Sequence, residues 1–317
     1  MSLPLPTVLA VAKLSPLLTP QLAAAFQLHD RLHDLDAAAF ERVAPQVRGI
    51  AASGESRVSA ELIARLPALE IISVMGVGYD GVDVATAKAR GVMVTHTPGV
   101  LNDDVADLAL GLMLSAARQL PAADRYVRAG LWPQGPMPLA RKMSGACLGL
   151  VGIGRIGQAI ALRALAFGMS VSYTARHARP ELHYTFAPDV VALAERVDYL
   201  VVITPGGAGT RKLIDARVLA ALGPMGILIN VARGSVVDEQ ARIEALEAGT
   251  FAGAGLDVFE AEPRVPERLL TLSKVVLTPH IGSATADTRQ AMADLAMGNL
   301  AAHFAGKPLL TPVPECQ

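Results

Sequence analysis

The sequence predicts an α/β protein with two Rossmann-like or flavodoxin-like parallel-sheet domains and a cleft between them. Short apolar runs alternate with helix-like segments along the chain, which is the pattern of parallel sheets covered by helices. A glycine-rich turn at residues 152–157 lies in mid-chain, so that one α/β region precedes it and a second begins there. The length of 317 residues also favours two domains.

The first region contains four strand-like segments, at residues 7–11, 49–52, 71–74 and 92–95. Helices are predicted between them over residues 60–66 and 84–90. The second of these is expected to end before Gly91, because glycine readily adopts the left-handed conformation that terminates helices.

A long helix is predicted over residues 103–118, with acidic residues in its first turn. This helix is apolar on nearly all sides. A helix with so little polar surface is buried between two layers of one subunit or between two subunits. We expect it to form the interface of a homodimer, with burial in the core of one subunit as the alternative.

The second region contains six strand-like segments, at residues 147–151, 170–174, 199–203, 227–230, 253–257 and 275–277. Six strands with intervening helices fit a dinucleotide-binding Rossmann domain. A last helical segment, residues 287–304, is predicted to cross back to the first domain. The predicted organisation is a discontinuous substrate-binding domain (1–98 and 285–317) and a dinucleotide-binding domain (99–284) that includes the dimerisation helix 103–118.

Gly152, Gly154 and Gly157 form a G-x-G-x-x-G turn between a predicted strand and a predicted helix. In that context the first glycine permits a tight turn, the second lets the backbone approach a pyrophosphate, and the third lets helix and strand pack closely. The helix that starts at Arg155 and Ile156 offers N–H groups and a positive dipole end to the phosphates. The turn therefore predicts a dinucleotide site.

The end of the next strand indicates which dinucleotide binds. Ala175 and Arg176 follow residues 170–174, and no carboxylate lies there to bind a free ribose 2′-hydroxyl. Arg176 can instead bind a 2′-phosphate, which favours NADP(H), with NAD(H) possible. The alternative is that Arg176 is a solvated surface charge, and His177 and Arg179 are secondary candidates for the phosphate.

Composition argues against several classes of partner. The net charge is −1 and no basic block is present, so binding to nucleic acid or to an anionic membrane surface is not expected. No uninterrupted apolar run reaches about 18 residues, and no secretory signal is evident. Cys147 and Cys316 are too few and too distant for a disulfide framework or a metal cluster. We therefore expect a cytoplasmic protein without a metal.

Polar residues follow three consecutive strands of the second region, namely Arg233, Glu262 and His280. Because ligands of parallel sheets bind beyond the carboxyl ends of the strands, these side chains can converge. Arginine binds a carboxylate through two hydrogen bonds, histidine exchanges protons near neutral pH, and a neighbouring carboxylate favours charged histidine. These groups suit the reduction of a 2-oxo acid by a nicotinamide.

Four stretches, at residues 74–80, 150–157, 229–234 and 278–283, carry a family resemblance in their order and spacing. The chain resembles the D-isomer-specific 2-hydroxyacid dehydrogenases. Through residues 101–108 and 173–176 it is most similar to glyoxylate/hydroxypyruvate reductases and hydroxyphenylpyruvate reductases. The resemblance implies NADPH-dependent reduction of a small 2-oxo acid to the D-2-hydroxy acid.

The resemblance also implies roles for individual residues. His280 is the acid/base, Glu262 is its partner, and Arg233 binds the substrate carboxylate and carbonyl. The backbone N–H groups of Val77 and Gly78 bind the other carboxylate oxygen. The alternatives are Glu260 in place of Glu262, and a purely structural pairing of Arg233 with Asp238.

Further residues are expected to contact cofactor or substrate. Trp132 resembles a residue that reaches the partner subunit's active site, with a buried anchor as the alternative. Asp257 resembles the family's contact to the nicotinamide amide. Many family members that prefer NAD carry an acid where this chain has Ala175, so the resemblance again implies NADP. The remaining expected cofactor-binding residues are Thr204, Pro205, Val231 and Gly282.

Two other functions stay open at this point. One is a dinucleotide-sensing, corepressor-like binding protein, since such proteins share the fold. The other is a family enzyme for a different substrate, such as an aromatic 2-oxo acid, 2-ketogluconate or phosphoglycerate. The sequence does not identify the substrate, whose side-chain pocket is expected to depend on Met75, Tyr79 and Trp132.

Overall fold

The computed structural model describes residues 4–317, which form two compact units. The first contains the residues up to Leu101 together with Thr285–Gln317, and the second is Asn102–Ala284. Each unit contains one sheet whose strands all pair in parallel. The predicted α/β fold class is confirmed. The first boundary between the units falls after Leu101, whereas it was predicted after residue 98.

The first unit holds a five-stranded sheet. Its strands are β1 (Thr7–Ala10), β2 (Gln27–Asp30), β3 (Val47–Ser53), β4 (Ile71–Met75) and β5 (Met93–Thr95). Across the sheet they lie in the flavodoxin-like order β2-β1-β3-β4-β5. The intervening helices are α1 (Thr19–Ala25), α2 (Leu32–Leu35), α3 (Ala37–Val43), α4 (Ala60–Ala64) and α5 (Val84–Ala89), with a 3-10 turn at Ala44–Gln46.

The second unit opens with two helices, α6 (Asn102–Arg118) and α7 (Leu120–Arg128), before its seven-stranded sheet. The strands are β6 (Cys147–Val151), β7 (Ser170–Thr174), β8 (Thr185–Phe186), β9 (Tyr199–Val202), β10 (Ile227–Asn230), β11 (Gly253–Leu256) and β12 (Val275–Leu277). The helices between them are α8 (Arg155–Ala166), α9 (Val190–Ala194), α10 (Ala216–Leu222), α11 (Glu239–Glu247) and α12 (Glu267–Leu270). Single 3-10 turns lie at Trp132–Gln134, Ala208–Thr210 and Gly234–Val236.

The strand order of the second sheet is β12-β11-β10-β9-β6-β7-β8. The first strand in the chain, β6, therefore lies between β7 and β9, which is the order of a Rossmann domain. In such sheets the topology reverses beside the first strand, and dinucleotides bind in the crevice at that point. The glycine turn after β6 and the loop after β9 border this switch point.

Among the elements that the sequence did not predict, β2, β8 and α7 have little buried surface. The strands β2 and β8 lie at sheet edges, with the exposed ends Gln27 and Asp30 in β2 and exposed Thr185 and Phe186 in β8. The helix α7 buries none of its side chains. The two edge strands are too short and too polar to show the apolar alternation from which strands are inferred.

The apolar helix α6 packs within its own unit, against α8 and the strands β10, β11 and β12. The fit to the sheet is tight, because a Cβ at Gly255 would lie 2.9 Å from the Cβ of Leu112. Leu108 and Leu114 are only partly buried. Burial within one subunit thus accounts for most of the apolar surface of α6, while its part in a dimer stays a prediction.

The chain returns to the first unit through α13 (Ala286–Phe304), which packs against β4. Ser73 on β4 donates its hydroxyl to the carbonyl of Ala296, at 2.9 Å. The fully buried Asn299 accepts from the backbone N–H groups of Leu310 and Thr311, both at 3.0 Å. Asn299 therefore fixes the C-terminal segment, which ends in the 3-10 turn Pro314–Cys316.

Within residues 4–317, no helix combines the length and the apolar character that crossing a membrane requires.

Replacing Asn299 by alanine removes the buried acceptor of the Leu310 and Thr311 N–H groups. We expect Asn299→Ala to lower the free energy of unfolding by about 2–4 kcal/mol. Gln290→Ala on the same helix is the control, since the Gln290 side chain is exposed and donates to the exposed Asp294, so its loss should change stability by less than about 0.5 kcal/mol. Urea unfolding measures both variants, and equal stabilities would contradict the assignment.

Candidate active site at the carboxyl edge of the second sheet

The predicted cofactor and catalytic residues of the second unit lie in the loops that directly follow its strands or, for Arg155, Ile156 and Gly157, in the first turn of α8. Because the strands are parallel, these loops lie at one edge of the sheet. The residues are Gly152, Gly154, Arg155, Ile156 and Gly157 after β6, Arg176 after β7, Thr204 and Pro205 after β9, Val231 and Arg233 after β10, Asp257 and Glu262 after β11, and His280 and Gly282 after β12.

The three glycines of the turn meet different steric conditions. Gly152 has a φ of +106°, and a Cβ there would lie 3.0 Å from the carbonyl oxygen of Ile203. A Cβ at Gly157 would lie 2.5 Å from the carbonyl oxygen of Gly152. A Cβ at Gly154, by contrast, meets no atom within 4 Å. Two glycines are thus required by the protein itself, whereas the open space at Gly154 suits the approach of a ligand.

The helix α8 begins directly after Gly154, and no side chain among the described residues caps its N-terminus. Arg155 is exposed and Ile156 is partly exposed. The first N–H groups of a helix have no partners within the helix, and they favour anions. The turn therefore fits the pyrophosphate of a dinucleotide.

The arginines after β7 differ in their partners. Arg179 pairs with Glu181, and its backbone N–H donates to the hydroxyl of Tyr173 at 2.6 Å. Arg176 is exposed and has no ion-pair partner among the described residues. Of the two arginines, Arg176 is the one whose guanidinium is available to a ligand.

The loop after β9 borders the glycine turn through Ile203, whose carbonyl approaches Gly152. Thr204 is partly buried and Pro205 is exposed, and the Pro205 carbonyl accepts from the hydroxyl of Thr210 at 2.7 Å. Val231, after β10, is 8% exposed. Thr204 and Pro205 follow β9 and therefore lie at the switch point of the sheet, where a cofactor-binding residue is expected.

His280 and Glu262 form a hydrogen-bonded pair. Nδ1 of His280 lies 2.7 Å from one carboxylate oxygen of Glu262, and the other oxygen accepts from the Phe259 N–H at 2.9 Å. An ionised carboxylate only accepts, so Nδ1 carries the proton in this contact. Of the two acids considered, it is Glu262 that contacts His280, whereas Glu260 pairs with Arg211 at 3.1 Å.

Opposing effects act on the Glu262 carboxyl. Burial alone raises its pKa, but the hydrogen bonds from His280 and Phe259 and the charges of His280 and Arg233 outweigh burial, so the pKa lies below its ordinary value. Glu262 therefore stays ionised at neutral pH. The stabilisation from this pair is complete above the ordinary pKa of glutamate and is lost as the pH falls through the lowered value.

Arg233 is presented by a backbone loop that Asn230 organises. The fully buried Asn230 donates to the Arg233 carbonyl at 3.0 Å and accepts from the Ala232 N–H at 3.1 Å. The charge of Arg233 lowers the pKa of Glu262, which places Arg233 near the pair. Asp238, the alternative partner of Arg233, instead caps α11 and pairs with Lys212 at 3.1 Å.

Gly234 joins the loops that carry Arg233 and Glu262. A Cβ at Gly234 would lie 2.0 Å from the carbonyl carbon of Phe259, so only glycine permits this contact of two backbones. Neither Gly234 nor Asn230 was predicted to have a role. The signal in the sequence was their position beside Arg233: Asn230 is a polar residue at the end of an apolar strand, and Gly234 is a glycine directly after the arginine.

Asp257 holds the loop that carries His280. Its carboxylate is 2% exposed and accepts from the Thr278 hydroxyl at 2.7 Å and from the N–H groups of Ile281 and Gly282 at 2.8 and 2.9 Å. Its carbonyl accepts from the His280 N–H at 2.9 Å. Burial raises the pKa of Asp257, and these hydrogen bonds only partly offset that effect. A contact of Asp257 or Gly282 with nicotinamide stays a prediction.

The remaining predicted residues lie elsewhere. Trp132 is 67% exposed at the start of the turn Trp132–Gln134, so it is not a buried anchor of its own unit. Val77 and Gly78 belong to the first unit, where they follow β4 and are partly exposed.

Known proteins support the interpretation of this edge. Residues 110–282 match the D-isomer specific 2-hydroxyacid dehydrogenase, NAD binding domain. The chain is 51% identical over 267 residues to glyoxylate/hydroxypyruvate reductase A of Arabidopsis thaliana, covering 84% of this chain and 85% of the relative. It is 44% identical to 2-ketogluconate reductase of Gluconobacter oxydans, covering 97% of this chain and 98% of the relative.

A similar solved structure is that of an NADPH-dependent glyoxylate/hydroxypyruvate reductase from Sinorhizobium meliloti, in complex with NADP and malonate. It has a TM-score of 0.93 and 48% identity, with 98% of this chain and 97% of the other covered. The similarity therefore extends over both units and includes the dinucleotide-binding one. The glycine turn, the strand order and these matches together show that the chain is an enzyme of the D-isomer specific 2-hydroxyacid dehydrogenase family.

Proposed function

We propose that this enzyme reduces a small 2-oxo acid, of the glyoxylate or hydroxypyruvate kind, to the D-2-hydroxy acid with NADPH. The observation that carries the proposal is the His280–Glu262 pair, held at 2.7 Å near Arg233 on the sheet edge that also carries the glycine turn. The names of the similar reductases from Arabidopsis thaliana and Sinorhizobium meliloti support this substrate class and coenzyme.

The reduced nicotinamide, when bound, supplies the hydride that adds to the carbonyl carbon. Arg233 binds the substrate carboxylate and polarises the carbonyl, which suits the bidentate geometry of its guanidinium. Protonated His280 donates the proton from Nε2 to the carbonyl oxygen as negative charge develops there. Ionised Glu262 fixes the imidazole through Nδ1 and stabilises its charged form. The product is the 2-hydroxy acid.

The proposed coenzyme contacts follow the loops of the sheet edge. The glycine turn and the N-terminus of α8 bind the pyrophosphate, and Arg176 binds the 2′-phosphate of NADPH. Asp257 and the loop after β9 would hold the nicotinamide part of the coenzyme. Because Arg176 has no ion-pair partner among residues 4–317, binding a phosphate costs it no existing ion pair.

In the first unit, we propose that the N–H groups of Val77 and Gly78 bind a substrate carboxylate oxygen. We further propose a cytoplasmic homodimer. Exposed apolar side chains on α7 and in the segment between α7 and β6 support the dimer, because surfaces of this kind mark protein interfaces. They are Leu120, Val127, Leu131, Trp132 and Leu139.

Two alternatives to this function remain. One is the reduction of a larger 2-oxo acid, which the 44% identity to a 2-ketogluconate reductase supports. The other is a corepressor-like sensing role. NADPH oxidation over glyoxylate, hydroxypyruvate, pyruvate, 2-ketogluconate and phenylpyruvate, repeated with NADH, separates them. No turnover with any of these acids would exclude the proposed enzyme activity and favour sensing.

His280→Ala removes the proton donor and leaves the glycine turn intact. We expect kcat to fall by about 10²- to 10⁴-fold while the Kd for NADPH stays within about twofold. Steady-state NADPH oxidation measures kcat, and fluorescence titration measures the Kd for NADPH. Near wild-type turnover in this variant would mean that another group is the acid.

Arg176→Ala removes the proposed 2′-phosphate contact. We expect the KM for NADPH to rise by about 10- to 100-fold and the KM for NADH to change by less than about twofold. Arg179→Ala is the matched control, because this arginine already pairs with Glu181. An unchanged ratio of the two coenzymes in Arg176→Ala contradicts the phosphate role.

Gly154→Ala and Gly157→Ala separate ligand contact from packing. We expect Gly157→Ala to lower stability by about 1–3 kcal/mol, because its Cβ would lie 2.5 Å from the Gly152 carbonyl. Gly154→Ala, with no neighbour within 4 Å, should change stability by less than about 1 kcal/mol yet weaken NADPH binding. Thermal unfolding and fluorescence titration test the pair, and tight NADPH binding by Gly154→Ala is the contrary result.

A further inference from the structure

The loop that follows β4 in the first unit presents two adjacent N–H groups. The N–H groups of Val77 and Gly78 donate to no acceptor among residues 4–317, and both residues are partly exposed. Adjacent backbone N–H groups that point to the same side can bind an anion such as a carboxylate. Their usefulness depends on how rigidly the two peptide planes are oriented.

Both peptide planes are fixed from behind by one neighbouring segment. The peptide that ends in the Val77 N–H begins with the Gly76 carbonyl, which accepts from the Thr97 N–H at 2.8 Å. The peptide that ends in the Gly78 N–H begins with the Val77 carbonyl, which lies 2.9 Å from Nδ1 of His96. Because a carbonyl oxygen only accepts, His96 is the donor in this contact.

The geometry of the peptide unit connects these contacts to the free N–H groups. The C=O and N–H of a trans peptide lie in one plane and point in opposite directions. A donor that holds the carbonyl therefore fixes the direction of the N–H on the other side. It also polarises the peptide, so that the N–H becomes a stronger donor. The crowding of Gly76, whose Cβ would lie 2.8 Å from the Gly54 Cα, further restricts this loop.

The supporting segment is itself held by the C-terminal part of the chain. The His96 N–H donates to the Thr311 carbonyl at 3.2 Å, and the Thr311 hydroxyl donates to the His96 carbonyl at 2.6 Å. The His96 ring makes an edge contact with Tyr79, at 5.2 Å between centroids, and the Tyr79 hydroxyl donates to Glu315 at 3.1 Å. Backbone hydrogen bonds of His96 and the contact of its ring with Tyr79 together restrain the position of the ring.

We propose that His96 is a positioning residue that orients the Gly78 N–H to bind a substrate carboxylate, with the backbone of Thr97 orienting the Val77 N–H in the same way. This inference rests on the proposed function, since it assigns the carboxylate to these two groups. His96 determines specificity for carboxylate-bearing substrates through the Val77–Gly78 peptide and does not itself contact the substrate.

The test is the full-length enzyme with His96→Leu, which removes the donor, and His96→Asn, whose side-chain amide can replace Nδ1. We expect His96→Leu to raise the KM for the 2-oxo acid by about tenfold. The Kd for malonate, measured by calorimetry with NADPH present, should rise by the same factor, while kcat at saturation and the KM for NADPH stay within about twofold. His96→Asn should recover most of the loss. His303→Leu is the matched control, because His303 lies in the same unit and its ring contacts Glu70 and the Phe304 ring.

The outcomes separate this proposal from the proposed function. A malonate Kd and a KM that do not change in His96→Leu overturn the role of His96 while leaving the reductase activity in place. An equal loss of affinity for the 2-oxo acid and malonate in His96→Leu, His96→Asn and His303→Leu indicates general damage to the unit. That result also overturns the role of His96. A wild-type enzyme that reduces no 2-oxo acid refutes the proposed function. Malonate calorimetry still tests His96 in that case, and absence of malonate binding by the wild type overturns this inference too.

Discussion

The hydrogen bond between His280 and Glu262 joins two loops that follow different strands, so it exists only while both loops hold their backbone positions. Asp257 supplies this restraint on one side, because its carboxylate and carbonyl together accept from four groups, three of them backbone N–H groups from His280 to Gly282. The Phe259 N–H supplies it on the other side. A buried carboxylate without such donors is costly, so the donors also keep Glu262 charged.

Close contact of backbones is the second condition for this arrangement. The loop of Arg233 touches the loop of Glu262 at Gly234, where a side chain has no room. The same kind of contact recurs at Gly157 beneath the dinucleotide turn and at Gly76 in the first unit. Functional groups of this enzyme are thus positioned largely by backbone atoms, and side chains such as Asn230 and Asp257 serve by binding those atoms.

The sequence was sufficient for the strands with buried apolar residues and for the order of the polar residues that follow them. The predicted strand at residues 227–230 coincides with β10, and most other predicted segments end within a few residues of the observed ones. It was insufficient where burial is small, as in β2, β8 and α7. It favoured Arg176 over Arg179 for the phosphate, but it did not predict that Arg179 pairs with Glu181, because this pairing depends on side-chain positions. The approach of Gly234 to Phe259 likewise joins residues that are distant in the chain.

The split course of the first unit has a consequence for biosynthesis. Its sheet is encoded before residue 102, yet α13 and the segment fixed by Asn299 are encoded after residue 284. During translation the second unit therefore leaves the ribosome with all of its own strands, while β4 still lacks the helix that covers it. The first unit completes its core last, although its sequence is translated first. Until then the apolar surface of β4 is open to chaperones and to aggregation, so the rate of chain completion sets how long the nascent enzyme is vulnerable.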